Sequence, residues 1–439
     1  MSIYVSQMMS YLCDVVQNLP LGTNLAMVHL LWMLVGGQLL FSRGAVIPGL
    51  AHTGLSRPAV RRAWQALRRG GWHIGELLVN WEASVMQSGQ WQVRYHGGYC
   101  AVPADLTGFW RPRLKNCPTE HYDHQAGKAL PAIVLGLVGR VGQIAGQRLL
   151  LPLGILRADP EQPDEETLMD KLIAKAKSLM QPQDVLVCDG GFALEQLLKT
   201  RVPRFILKVA KNFTARRATP PDYRGIGRPP KRGEIVRPLT RTFKKRRLTA
   251  TPPDRTLTWR EEGHLIQADL WDNLVLRSTP AEATDVPTFS VIAIHDRRWS
   301  RPLLLAVPTN LAALEATHLR RLYLDRWPVE QLPLAAKQMI GAQRAFVYAT
   351  ESCQRLPELA LLAGSILSFV AAMLPAIPTG FWDRRPQPTP GRLRRCLFGL
   401  GFPTNFSLPP QIRPKASFTD HLPKGFWGQQ RKSQAMAAT

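Results

Sequence analysis

Between residues 99 and 208 the order of apolar segments leaves few folds open. "WQVRYHGGYCAVPADLTGF" reads as two strands joined at His96-Gly97-Gly98, and "ALPAIVLGLVG" and "QRLLLPLGILRA" follow as two more. Next comes a helix, "DEETLMDKLIAKAKSLM", with Leu168, Leu172, Ala176 and Leu179 as its apolar stripe. A short buried strand, "DVLVCDGGF", ends in a glycine turn, and helix "ALEQLLKT" and strand "RFILKVA" complete the run. Three antiparallel strands followed by helix, strand, helix and strand make one mixed α/β sheet.

The flanking regions follow other patterns. Residues 1–89 read as a helical unit. Within it "SRGAVIPGLAHTGLSRPAVRRAWQALRRGGW" suggests two short helices split at Gly54. Ser56 is placed to cap the second, and Val60, Trp64 and Leu67 share one face. Arg57, Arg61, Arg62, Arg68 and Arg69 cover the rest. This pattern suits a helix-turn-helix on DNA, with Arg61 and Arg62 as contacts, and equally suits a basic surface helix. The sheet unit begins at residues 90–211 and is interrupted over 212–285 by a Pro-, Arg- and Thr-rich stretch that reads as a β-rich insertion. It resumes over 286–377, where "TFSVIAIHD" and "PLLLAVPT" form a hairpin and a long helical region follows. Residues 378–439, rich in Pro, Arg and Gly, are expected to be a poorly ordered basic tail.

Charge narrows the partner. The chain of 439 residues carries 56 Lys plus Arg against 32 Asp plus Glu, a net of +24, which favours a polyanion. Two apolar runs could make that polyanion a membrane surface. Asn24–Phe41 contains His29, Gly36, Gly37 and Gln38, and Leu359–Leu374 is shorter than the about 20 residues a bilayer needs. Buried helices fit both better, so nucleic acid is the expected partner and no membrane is. Six scattered cysteines without a C-x-x-C pair argue against a zinc site and for a reducing compartment, and the N-terminus lacks the order of a secretory signal.

The candidate chemistry starts in "YLDRWPVEQLPLAAKQ", residues 323–338. On a helix at about 100° per residue, Arg326, Glu330 and Lys337 fall within roughly 60° of Tyr323, with Asp325 nearly opposite. Pro328 is expected to kink or restart the helix. Apolar neighbours, among them Trp327 and Leu334, suggest that most of the helix is buried. An ordinary Arg326–Glu330 pair on a solvated face is the alternative. Asp189 ends the strand "VLVCD" before Gly190-Gly191, where open α/β sheets place ligands, although a helix cap would look the same. Asp105 closes "YCAVPAD" and alone reads as a turn residue. Taken together, Asp105, Asp189 and Glu330 would repel one another unless cations neutralise them, as in a two-metal phosphodiester site.

Asp105, the turn Asp189-Gly190-Gly191-Phe192, and the spacing Tyr323-x2-Arg326-x3-Glu330-x6-Lys337 resemble the DDE transposases of bacterial insertion sequences, in the group with a tyrosine–arginine–glutamate–lysine signature. "KQMIG" and "RFILKVAKN" are in the same style, and the resemblance covers about residues 90–375. It implies an RNase H-like core with a β-rich insertion, for which the 141-residue separation of Asp189 and Glu330 leaves room. It also implies metal-dependent cleavage at transposon ends, then attack of the freed 3′-hydroxyl on target DNA. Asp105, Asp189 and Glu330 are the implied ligands of two Mg²⁺ ions, with Mn²⁺ able to substitute. Tyr323, Arg326 and Lys337 are the implied phosphate contacts, and a homodimer the implied synaptic unit in the bacterial cytoplasm, on the nucleoid.

Residues 201–250 add 16 Lys or Arg against 2 acids, a net of +14. Inside them "GRPPKRG" (residues 227–233) is like an AT-hook but has Ile226 where the hook has arginine. Phosphate binding by Arg228, Lys231 and Arg232 is therefore favoured over groove reading. "FKKRRL" adds Lys244, Lys245, Arg246 and Arg247 as backbone contacts that would make binding salt-dependent. The rival expectation is a catalytically inactive, repurposed transposase that only binds DNA.

Overall fold

The structure, a computed structural model, describes residues 2–415 apart from 124, 224, 226, 227 and 284. Helices open the chain. In α1 (Ile3–Val16) the Ser2 hydroxyl accepts the Val5 N–H, and Val5, Met8, Met9, Leu12, Val15 and Val16 repeat at helical spacing on the buried side. Helix α2 (Thr23–Val35) is buried on nearly every side, and its sequence is accordingly apolar all round. After the single turn α3 (Gln38–Phe41), α4 (Val46–His52) and α5 (Arg57–Arg69) are split at Gly54, where φ is 75°. Ser56 takes the cap position of α5, but its side chain makes no capping bond. Ala59, Val60, Ala63, Ala66 and Leu67 turn inward, and Arg57, Arg61, Arg62 and Arg69 stay exposed. Helix α6 (Ile74–Gln87) closes the series.

The sheet follows. Short strands β1 (Gln92–Val93) and β2 (Tyr95–His96) lead through the Gly97-Gly98 turn, both at positive φ, into β3 (Tyr99–Trp110). Asp105 therefore does not close this strand; it lies at its middle. Strands β4 (Glu120–Asp123), β5 (Lys128–Ile144) and β6 (Gln147–Arg157) come next, with β5 antiparallel to both β3 and β6. Asp164 caps α7 (Glu165–Leu179) by accepting the Thr167 N–H at 2.8 Å. The chain then enters β7 (Asp184–Cys188), α8 (Leu194–Lys199) and β8 (Phe205–Lys208), and β7 runs parallel to both β3 and β8. The resulting order is β6-β5-β3-β7-β8.

The expected insertion is β-rich, and most of it continues this same sheet. Strands β9 (Ala215–Arg217) and β10 (Ile235–Val236) pair with each other, and β9 pairs with β14 (His264–Leu276). Strand β13 (Arg255–Glu261) also pairs with β14, which lies beside β15 (Phe289–Asp296). The β15–β16 hairpin, with β16 at Leu303–Pro308, returns the chain against β8. Strands β11 (Arg241–Phe243) and β12 (Arg246–Leu248) stand apart, as a two-stranded hairpin turning on Lys244 and Lys245 at φ 47° and 64°.

Residue alternation sorts the two faces. Val102, Ala104, Leu186 and Cys188 pack toward α7 and α8, whereas Ala101, Val185 and Val187 pack toward α9 (Ala316–Leu324) with Leu319 and Leu322. A turn at Asp325–Trp327 leads into α10 (Pro328–Leu334), whose last turns widen into a π-helix at Ala335–Met339. Helix α11 (Thr350–Met373) is long and apolar enough to cross a bilayer, but 89 % of its most apolar window is buried against other parts of the protein. It shares one core with α1, α2, α5, α6 and the outer face of β5 and β6.

The basic C-terminal region is more structured than its composition predicts. Helix α12 (Pro390–Leu397) buries Leu393 and Leu397, and Ile412 is buried too. The segment Gln411–Arg413 is tied to α2 and its approach by Asn24 donating to the Gln411 carbonyl at 2.7 Å and Gly22 donating to the Arg413 carbonyl. Two apolar residues at i, i+4 suffice to dock a short helix in an arginine-rich stretch. The remainder of the expected tail, residues 416–439, lies outside the described residues, as does Gly227 of the hook-like motif.

Candidate active site

Two aspartates meet because β7 ends, and its parallel pairing with β3 stops, beside the middle of β3. The parallel pairing of β3 with β7 runs from Cys100↔Asp184 to Pro103↔Val187, and Asp105 and Asp189 each follow two residues later. A two-residue step keeps each on the face of its strand that carries Ala101 and Val185, the face covered by α9. Asp105 sits on the central strand opposite Leu137 of β5, with its Oδ1 accepting the Leu106 N–H at 2.9 Å. Asp189 does not cap α8, whose cap position is Ala193; its Oδ1 instead accepts the Gly191 N–H at 2.8 Å and holds the glycine turn closed. A Cβ on Gly191 would stand 3.1 Å from that oxygen, so this turn favours glycine.

The third carboxylate arrives from above the sheet. The expected single helical stripe is broken, because α9 ends at Leu324 and Pro328 restarts the helix as the first residue of α10. The π-helix alters the angular step again before Lys337. Tyr323, Arg326, Glu330 and Lys337 nevertheless gather over β3. Arg326 bonds Glu330, its Nη1 is 3.8 Å from Asp105 Oδ2, and its guanidinium lies 5.8 Å from the Tyr323 ring centre. Lys337 Nζ sits 5.2 Å above the Phe109 ring, four residues beyond Asp105 on the same face of β3. The apolar flank is less buried than expected: Trp327 and Leu334 are exposed.

The electrostatics follow from that crowding. Burial first, then Asp189 and Glu330, push the Asp105 carboxyl up to about 7, with Arg326 opposing them. Burial pulls Lys337 down to about 8, Asp105 opposing, and raises the Tyr323 hydroxyl. Arg326 is itself buried, and its Nε and Nη1 have no hydrogen-bond partner. Among the described residues no group of three or more His, Cys, Asp or Glu is arranged to hold a metal ion as it stands. Arg326 lies between Asp105 and Glu330 and brings its positive charge to both. The donor set still suits a hard cation: three carboxylates, with Asp105 raised partly by the other two, are what a divalent ion relieves.

In the protein freed of metal by a chelator, the raised Asp105 carboxyl has a direct consequence. Its folded pKa lies above its unfolded one, so the folded chain keeps a proton that the unfolded chain releases. Stability should therefore fall as pH rises from about 4 to about 7. Asp105→Asn should remove that slope and leave the protein more stable at pH 8, by on the order of 1–3 kcal/mol. Denaturation midpoints across this pH range check it, and an unchanged slope in the variant would count against the crowded carboxylate cluster.

Positive charge surrounds the cluster. A cleft of about 990 Å³ opens beside Tyr323, lined by Lys208, Lys211, Arg241, Arg301 and Phe243 and by no acidic residue. Beyond it the β11–β12 hairpin presents Lys244, Lys245, Arg246 and Arg247 to solvent, and Arg228, Lys231 and Arg232 are likewise exposed, Lys231 at 4.0 Å from Glu282. Arg61 and Arg62 project from α5 on the helical unit, outside the carboxylate cluster.

Two features escaped sequence reasoning. Lys208 and Lys211 lie at the end of β8, next to the Asp189 turn, and only the strand order reveals it. Asp325 is the other. Its side chain is 1 % exposed and pairs with His96 at 2.8 Å, Arg94 at 3.0 Å and Arg148 at 3.3 Å. Burial pulls its carboxyl upward, but His96 and Arg94 outweigh that and hold it below the ordinary range. This clamp fixes the turn that carries Arg326. No protein-family model matches the chain, and no curated protein matches it.

Proposed function

We propose that the chain is a DDE-type transposase, cutting DNA at the ends of its element and joining the freed 3′-hydroxyl to target DNA, as a homodimer. The observation that carries this is the convergence of Asp105 from the middle of β3, Asp189 from the end of the adjacent parallel strand β7, and Glu330 from a helix above them. The strand order β6-β5-β3-β7-β8, antiparallel then parallel, supports an RNase H-like reading of the core. The acid-free basic cleft and the +24 charge support a polyanionic substrate.

In this scheme Asp105, Asp189 and Glu330 hold divalent cations, Mg²⁺ by preference. A bound divalent ion supplies charge neutralisation and Lewis acidity at the phosphodiester. The orphaned Nε and Nη1 of Arg326 offer two donors to a phosphate oxygen, with Tyr323 and Lys337 on either side. Binding phosphate turns Arg326 away from the carboxylates and leaves them for the cation. Lys208, Lys211, Arg241 and Arg301 would carry the strand away along the cleft, toward the basic hairpin.

The test uses a DNA fragment bearing the inverted repeats that flank the gene. With Mg²⁺ the protein should nick it, and Asp189→Asn or Glu330→Gln should lower nicking by on the order of 10³-fold with DNA binding kept within about twofold. If both variants nick as fast as the unchanged chain, the assignment is wrong. Binding without nicking by the unchanged chain would identify a protein that only binds DNA.

A further inference from the structure

The face of β3 that carries Asp105 continues through Thr107 and Phe109 to Arg111, and a second groove opens at its far end. Arg111 donates to the Val347 carbonyl, and Cys353 Sγ lies 3.1 Å from the same oxygen. These contacts pin an extended segment, Ala345–Tyr348, with Val347 only 1 % exposed. Period-two alternation then turns Phe346 and Tyr348 outward on the same side, where they are 47 % and 60 % exposed. Facing them are Trp110 and Arg113, and Arg344 completes the rim of a groove of about 360 Å³. Arg113 and Arg344 are exposed, and no acidic residue lines the groove.

Two large exposed rings stand on a short extended segment held by the buried Val347. The rings are amphipathic platforms at fixed spacing, and cations alone flank them. Unpaired nucleobases stack on such rings while arginines take the phosphates between, a combination that needs no particular sequence. The cavity lies in the about 300–1,000 Å³ range of small-ligand sites, room for a base rather than a duplex. Arg111, on the Asp105 face, is six residues beyond Asp105, about 20 Å along the chain, or roughly six base steps at ~3.4 Å each.

The geometry points to this groove as a subsite for unpaired nucleotides of the DNA held at the carboxylate cluster, with bases stacked on Phe346 and Tyr348 and phosphates on Arg113 and Arg344. It rests on the proposal that the chain acts on nucleic acid, and it adds a single-stranded segment on the Lys337 side of the site. Neither ring contributes to the core, so both can be replaced without unfolding the chain.

Equilibrium binding of a fluorescent 15-nucleotide single strand and of the matching duplex, each at two salt concentrations, tests it. The double variant Phe346→Leu, Tyr348→Leu should bind the single strand at least about tenfold more weakly and the duplex within about twofold of the unchanged chain. Tyr348→Phe should keep single-strand affinity, because stacking needs the ring and not the hydroxyl. The pair Arg113→Gln, Arg344→Gln should lower the salt slope for the single strand by about 1.4, at ~0.7 for each phosphate contact. Unchanged single-strand binding in the leucine variant overturns the subsite. So does a shift in oligomeric state without loss of binding, which would assign the rings to a protein contact. If nicking still depends on Asp189 in that case, the reading of the carboxylate site stands while this one falls. If no DNA binds the unchanged chain, both fall.

Discussion

Replacing Arg326 with alanine is expected to destabilise the metal-free protein by about 3–5 kcal/mol, the cost of stranding buried partners of a broken ion pair. The guanidinium, 11 % exposed on its side chain, is the cation that bridges Glu330 and Asp105. Without it the Asp105 carboxyl should move above its present value of about 7, since Arg326 opposes the rise. Millimolar Mg²⁺ should restore part of the lost stability, because a divalent ion can occupy the space that the guanidinium leaves. Chemical denaturation of the unchanged and variant chains, with Mg²⁺ and with a chelator, measures both effects. A variant that loses less than about 1 kcal/mol would show that Arg326 does not neutralise the cluster.

Asp325→Ala should be comparably damaging from outside the site, at about 3–5 kcal/mol. Its buried carboxylate gathers Arg94, His96 and Arg148 from the first hairpin and β6, tying both to the turn between α9 and α10. Removing it leaves Arg94 and His96 without their partner and frees the segment that carries Arg326 and Glu330. Nicking should fall with DNA affinity nearly unchanged, and amides from Tyr323 to Leu334 should exchange faster. The sign with pH also follows. A carboxyl held below its ordinary range stabilises above its unfolded value near 4 and loses that effect as pH drops through the folded one. The variant should therefore approach the unchanged chain in stability only under strongly acid conditions. Unaltered exchange across that segment would contradict the clamp.

Much of this molecule is legible in its sequence where local pattern decides the outcome. The Gly97-Gly98 hairpin, the split at Gly54 and the strand "DVLVC" are all set by neighbouring residues. The site was legible in composition but not in geometry. Extrapolating about 100° per residue from Tyr323 to Lys337 assumes an unbroken helix, and the chain instead breaks at Asp325–Trp327 and widens at Ala335. The four side chains meet because α9 and α10 pack over β3 and the π-helix sets Lys337 above Phe109, which is a tertiary fact. The same holds for the strands of residues 212–285: a Pro- and Arg-rich stretch looks like a separate insertion, yet β14 pairs along most of β15. Composition misjudged the region after residue 378 because two buried leucines, Leu393 and Leu397, are enough to dock α12. Asp325 carried no signal beyond its charge, since its three partners lie at least 177 positions away in sequence.

Calorimetric titration of the protein with Mg²⁺ or Mn²⁺ near pH 7, in buffers of different ionisation enthalpy, tests the carboxylate cluster most directly. Asp105 titrates at about 7, so binding should release about half a proton at that pH and progressively less toward pH 8. Asp105→Asn should abolish the release, and Asp189→Asn and Glu330→Gln should weaken binding at least about tenfold, the loss expected when one of three carboxylate ligands is removed. No measurable binding, or binding and proton release unchanged by all three substitutions, would contradict a cation site at these carboxylates.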